Sequence, residues 1–180
     1  MSVAIVKSLG VKGCALWKRD TEGKTGQNPN VDNVSITLPS IELETTSITL
    51  MGTLDVPDVS RIGNLQLSAT IPLDVPEAME LCELGKLTKW KVTWVSMMYN
   101  AESGTTTPKA FIVEAAGFVT GIPSAEVNAG AENTASVTMN LVSIKKINTT
   151  DNKVEYEIDR GKGIFNIGNT DIIGGISSLY

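Results

Sequence analysis

The chain has 180 residues, with 15 Lys and Arg against 20 Asp and Glu for a formal charge of −5; 42 % of it is hydrophobic and 19 % is charged. That balance fits one globular domain spanning 1–180 and excludes disordered and fibrous chains. With no Lys/Arg cluster it also argues against a protein that grips a phosphate backbone. There is no histidine, which removes the commonest general acid–base, the commonest zinc ligand and every histidine-based triad.

The longest apolar runs are about five residues against the ~20 that span a bilayer, so no transmembrane helix or membrane anchor is expected. Lys7 interrupts the weakly apolar start, making it a poor secretory signal. Cys14 and Cys82 are too few for a disulfide framework and suit synthesis in a reducing compartment.

In chain order, a strand is predicted at 14–19, then a turn-rich stretch at 20–33. Val34, Ile36 and Leu38 alternate with Ser35 and Thr37, and after Pro39 the apolar phase moves to Ile41 and Leu43. Such a slip turns every side chain to the other face, so a bulge or bend is expected there. Gly52, Leu54, Asp55, Val56, Pro57 and Asp58 fall in a segment, 51–62, that reads as a flexible loop. The clearest strand follows: Leu65, Leu67, Ala69, Ile71 and Leu73 alternate with Asn64, Gln66, Ser68, Thr70 and Pro72.

The next segment departs from this period. Asp74 as N-cap, Pro76 in the first turn, Glu77 three residues after the cap and Gly85 as a stop predict a helix over about 75–84. Ala78, Leu81 and Cys82 form its apolar stripe; Glu77, Glu80 and Glu83 lie on a solvated side. Strands are predicted again at 88–99, 110–122, 134–147 and 153–159, with a short helical piece near 170–178. The fold class is therefore mainly β, a sandwich or barrel with one short flanking helix.

Several motifs invite a chemical reading and fail it. Gly23-Lys24-Thr25 lacks the earlier glycine of a phosphate loop, having Lys18 there, and no helix follows. Gly161, Gly163 and Gly168 do not have dinucleotide-binding spacing. Glu42 with Glu44, and Glu155 with Glu157, share strand faces but read as solvated carboxylates rather than a hydrolytic pair. Asp55 and Asp58 lack the ligand density of a calcium loop. Trp90, Val92 and Trp94, interleaved with Lys89 and Lys91, read first as core anchors, second as a partner interface and last as a stacking surface for single-stranded nucleic acid. No residue is assigned a catalytic, cofactor-binding or metal-binding role, and an enzyme is not expected.

One feature remains unexplained by folding alone. Asn64, Gln66, Ser68 and Thr70 on one strand, and Thr134, Ser136, Thr138 and Asn140 on another, make faces of hydroxyls and amides with no charge. Ordinary solvent faces mix in Lys and Glu. An uncharged polar face suits a wall past which something slides without sticking.

The stretch NVSITLPSIELETTSITLMGTLDVPDVSRIGNLQLSATIPL at 33–73, and the ending YEIDRGKGIFNIGNTDIIGGISSLY, resemble the major tail tube proteins of contractile-tailed bacteriophages and phage-tail-like particles. One departure is the stretch 20–33, longer than the family minimum. The resemblance implies a structural protein forming stacked hexameric rings inside a contractile sheath. Two hairpins per subunit, 34–50 with 60–73 and 110–122 with 133–147, would then build a closed inner barrel. On this reading Asn64, Gln66, Ser68, Thr70, Thr134, Ser136, Thr138 and Asn140 face the lumen. Glu77, Glu80 and Glu83 face the sheath, and the 51–62 segment contacts a neighbouring subunit or ring. The implied partners are further copies of the chain and the sheath, tape measure, baseplate and tail terminator proteins, with DNA transiting without specific binding. The chain would be made in the bacterial cytoplasm and reside in a virion tail or tail-like particle. Two alternatives stay open: the exported tube protein of a type VI secretion system, and a carbohydrate-active β-sandwich module.

Overall fold

Period-2 alternation dictates most of the architecture. In the computed structural model, which describes residues 6–20, 22–49, 52–122, 129–168 and 170–172, twelve strands and one helical turn follow in order. These are β1 (Val6–Arg19), β2 (Val31–Asp32), β3 (Ser35–Thr37), β4 (Leu43–Thr49), β5 (Thr53–Ile62), β6 (Gln66–Pro72), α1 (Pro76–Met79) and β7 (Leu87–Asn100). Then come β8 (Thr105–Val119), β9 (Thr134–Asn148), β10 (Lys153–Asp159), β11 (Ile164–Ile167) and β12 (Thr170–Asp171).

β9 is the hub of the main antiparallel sheet. One of its edges pairs with β8 from Met139 to Asn148. On the other edge its first half, Thr134–Asn140, pairs with β6, and its second half, Ser143–Asn148, pairs with β10. A register shift between Leu141 and Ser143 marks the changeover. The sheet runs on through β7, β1 and β2 one way, and through β11 and β12 or through β6 and β3 the other. The two branches diverge and enclose the core, giving a sandwich-like fold rather than a closed barrel.

Each inward row joins the same core. Leu65, Leu67, Ala69 and Ile71 meet Val137, Met139, Val113, Trp90, Val92, Leu16 and Phe165, all essentially inaccessible to solvent. Two tight constraints hold this centre. The Trp90 indole N–H donates to the Leu81 carbonyl at 3.2 Å, satisfying a buried donor. At Gly117 a Cβ would sit 2.2 Å from the Asn140 carbonyl oxygen, so only glycine lets β8 approach β9 at the bulge.

Several expectations are corrected. The helix is shorter than 75–84, spanning Pro76–Met79. Its next amides bond three residues back, Leu81 N to Ala78 O and Cys82 N to Met79 O, a tighter winding that carries both side chains into the core. Val75 stands at the N-cap with no side-chain cap, because Asp74 instead accepts from the Asn133 amide at 3.1 Å. The segment 51–62, read as a loop, is mostly β5, paired residue by residue with β4 from Leu43↔Ile62 to Thr49↔Thr53. The first expected hairpin, 34–50 with 60–73, therefore divides into β3 on β6 and a separate β4–β5 ribbon, with the break falling at the anticipated phase slip after Pro39. The second, 110–122 with 133–147, is β8–β9. Thr170–Asp171 is a strand where helix was expected, and the rest of that expectation, 173–178, lies outside the described residues.

Candidate functional site

The two polar rows noted in the sequence lie on one face and directly opposite each other. Gln66 pairs with Asn140, Ser68 with Thr138 and Thr70 with Ser136 in the β6–β9 register, and Thr134 stands across from Pro72. The Gln66 side-chain amide donates to Asn140 Oδ1 at 2.9 Å, and the Ser68 and Thr138 hydroxyls share a hydrogen bond of 2.9 Å. Asn64 is exposed two residues before β6 begins. The buried row beneath fixes this orientation, since Leu67, Ala69 and Ile71 are fully covered and their neighbours must face the other way.

β3 widens the wall. Ser35 lies opposite Thr70 and Thr37 opposite Ser68, so both hydroxyls join the same face. Their alternation with Val34, Ile36 and Leu38 was visible in the sequence, but only strand pairing shows which face they extend. The Gln66–Asn140 row then continues onto Phe118 of β8 and Leu87 of β7, which are 40 % and 53 % exposed. The uncharged surface thus ends in an apolar border.

Past the β9 bulge the same side of the sheet becomes ionic. Glu114 of β8 meets the Arg19 guanidinium at 2.9 Å, and Glu157 of β10 takes Lys145 at 3.2 Å. Glu155 takes Lys146 at 2.7 Å. Lys145 and Lys146 are consecutive on β9 and point to opposite faces, so Glu155 and Glu157 do not share a face as expected; a bulge between Val154 and Tyr156 separates them. Lys146 also lies over the stacked Trp94 and Phe111 rings, closing that end of the core. Trp90 is a fully buried core anchor, and Trp94 packs partly buried against the core beneath Lys146.

The other candidates are structural. Glu77 and Glu80 are exposed, but Glu83 is half-buried beyond the helix and bonds Lys18 at 3.2 Å. Glu42 is engaged by the Ser40 hydroxyl, while Asp58 and Glu44 flank Arg61. The Asp55 carboxylate accepts from Ser47 across the β4–β5 ribbon. On that ribbon Ile48 and Leu54 form an exposed cross-strand pair, 43 % and 58 % accessible, and Gly52 lies exposed at its turn. Val56 and Pro57 are β5 residues paired with Thr46 and Thr45. Gly23 and Lys24 sit in a turn closed by Asp20, and Gly163 turns β10 into β11 with φ +66°.

Burial pushes the Cys14 and Cys82 thiols up, away from the reactive thiolate. Burial, aided by the Glu155 charge, pushes the Tyr156 phenol up to about 12. The hydrogen bond from Lys109 at 2.7 Å holds Asp151 below the usual carboxylate range, pinning the β9–β10 turn to β8. Among the described residues no group of three or more potential metal ligands occurs, and no helix is long and apolar enough to cross a membrane.

A family model for phage tail tube protein FII matches residues 25–176. Among the curated proteins nothing matches the chain.

Proposed function

The chain belongs to the phage tail tube protein FII family, and from that membership we propose that it assembles into hexameric rings stacked as the inner tube of a contractile tail or tail-like particle. Its role is structural. The observation that carries the lumen assignment is the uncharged wall of β3, β6 and β9, built from Ser35, Thr37, Gln66, Ser68, Thr70, Thr134, Ser136, Thr138 and Asn140. A basic wall would hold nucleic acid through phosphate contacts and counterion release. An apolar one would expose a sticky patch. Hydroxyls and amides stay wetted and avoid both.

Ring closure follows from the wall's edges. Among the described residues β3 pairs only with β6, and nothing pairs with Thr134–Thr138 on the side away from β6. Unequal open edges on opposite sides favour a head-to-tail contact, which closes into a ring when the rotation allows. The exposed β4–β5 ribbon then reaches a neighbouring copy. Glu77 and Glu80 face outward toward the sheath, while Glu83 serves Lys18 within the chain. Tape measure, baseplate and terminator proteins complete the set of partners.

Electron microscopy of the purified protein tests this reading. Rings with a central channel, stacked into tubes whose inner surface carries Gln66 and Thr138, are expected. Monomers across all concentrations and salts, alone and with baseplate proteins, would refute assembly, and a tube with those side chains facing the sheath would refute the lumen assignment.

A further inference from the structure

The β4–β5 ribbon is a separate two-stranded sheet, and a side chain from the far branch of the fold reaches its neck. Arg160, in the turn between β10 and β11, donates from one guanidinium nitrogen to the carbonyl of Ile62 at 3.3 Å and to that of Gly63. Its own backbone N–H bonds the Val142 carbonyl at 3.0 Å, at the β9 bulge. The neck of the ribbon is closed next to it, where Gly63 N–H bonds Glu42 O at 2.9 Å. Only Asn64 and Leu65 separate this neck from β6. The carboxylate nearest in sequence, Asp159, is engaged by Lys162 at 3.3 Å. The guanidinium is therefore spent on main-chain oxygens of the neck, one terminal nitrogen directing its two N–H groups to two adjacent carbonyls.

We propose that Arg160 is the positioning residue of the ribbon: it sets the angle at which β4–β5 leaves the body, and so fixes where the ribbon meets another copy. The proposal rests on the assembly reading for its purpose but not for its geometry. Ile41, Leu43 and Ile62 pack the underside of the neck against the core, beside Phe165 and Ile172. Apolar contact of this kind is non-directional and allows the ribbon to swing. The two carbonyl bonds supply the missing direction.

The test uses full-length chains carrying Arg160→Ala, Arg160→Lys or, as a control that removes a cation from the same turn, Lys162→Ala. Amide exchange is read in the unassembled protein, and the threshold concentration for assembly is read separately. With Arg160→Ala, exchange over 43–62 should rise about ten-fold while β8 and β9 amides keep their protection. Arg160→Lys should fall between this variant and the native chain, Lys162→Ala should match the native chain, and the assembly threshold should rise with ribbon exchange. Unchanged exchange with Arg160→Ala, or an equal rise with Lys162→Ala, overturns the latch. Raised exchange with an unaltered assembly threshold overturns its positioning role. A native chain that never assembles overturns the assembly reading instead, leaving the latch to be judged by exchange alone.

Discussion

The β6–β9 pair and the β4–β5 pair are both antiparallel, of similar length and rich in Thr and Ser, yet they differ in what lies beneath. Under β6 and β9 every second residue enters a sealed core, so Leu67, Ala69, Ile71, Val137 and Met139 are wholly covered. Under β4 and β5 only the neck residues Leu43 and Ile62, among those described, pack against the core, and further out the facing pair Ile48 and Leu54 stays open to solvent. Backbone pairing alone leaves a two-stranded ribbon marginal in water. The wall is rigid because one face is buried; the ribbon beyond its neck is available for contact because its facing pair Ile48 and Leu54 is not.

Truncating the buried face should break this contrast most severely. Leu67→Ala is expected to cost about 2–5 kcal/mol, through lost transfer energy and the cavity left behind. Leu54→Ala should change stability by less than about 0.5 kcal/mol. Denaturant unfolding of both variants reads the difference, and equal costs would mean that the ribbon packs on the body in solution.

Glycine substitutions sharpen the same contrast. Gly117→Ala places a methyl against the Asn140 main chain, 2.2 Å from its oxygen, and should cost about 1–3 kcal/mol or more. Gly52→Ala meets nothing within 4 Å and should be close to neutral in the same unfolding measurement.

Alkaline titration should act on the body. The Tyr156 pKa is raised to about 12 by burial, so the unfolded chain gives up this proton first, from about pH 10. Stability is fully present below that pH and is lost as pH rises through about 12. Tyr156→Phe should flatten the decline between pH 10 and 12, whereas an unchanged decline would place its origin elsewhere.

The smallest effect belongs to the exposed side of the wall. Gln66→Lys should alter folding stability by less than about 0.5 kcal/mol, since its neighbours on the strand, not Gln66, hold the core. The same change should slow passage of polyanionic cargo through assembled tubes, with a salt dependence that measures the added charge. Normal passage at low salt would argue that this face does not line the channel.

How much of this was legible in advance depended on whether local pattern or distant contact decided the outcome. The faces of β6 and β9 were readable because period 2 leaves one phase once Leu65, Leu67, Ala69 and Ile71 must be buried. Their mutual pairing, 70 residues apart between Ser68 and Thr138, was not. β5 was hidden by Gly52 and Pro57, which signal a turn; a ribbon with free edges tolerates a proline that a central strand would not. The first half of β1 was hidden too, because two bulges with Gly10 and Gly13 at positive φ break its alternation.

By itself the sequence determined the β class, the absence of histidine chemistry, the buried rows of β6 and β9 and the hydroxyl and amide character of their opposite rows, because these follow from composition and from side-chain alternation. Only the tertiary structure decided that β3, β6 and β9 merge their polar rows into one wall, that β9 changes partner at its bulge, that Glu83 is bound to Lys18, and that Arg160 reaches the neck of the ribbon. Those outcomes depend on which edges meet across long separations, and strand pairing is a contest among many edges that no single segment can settle alone.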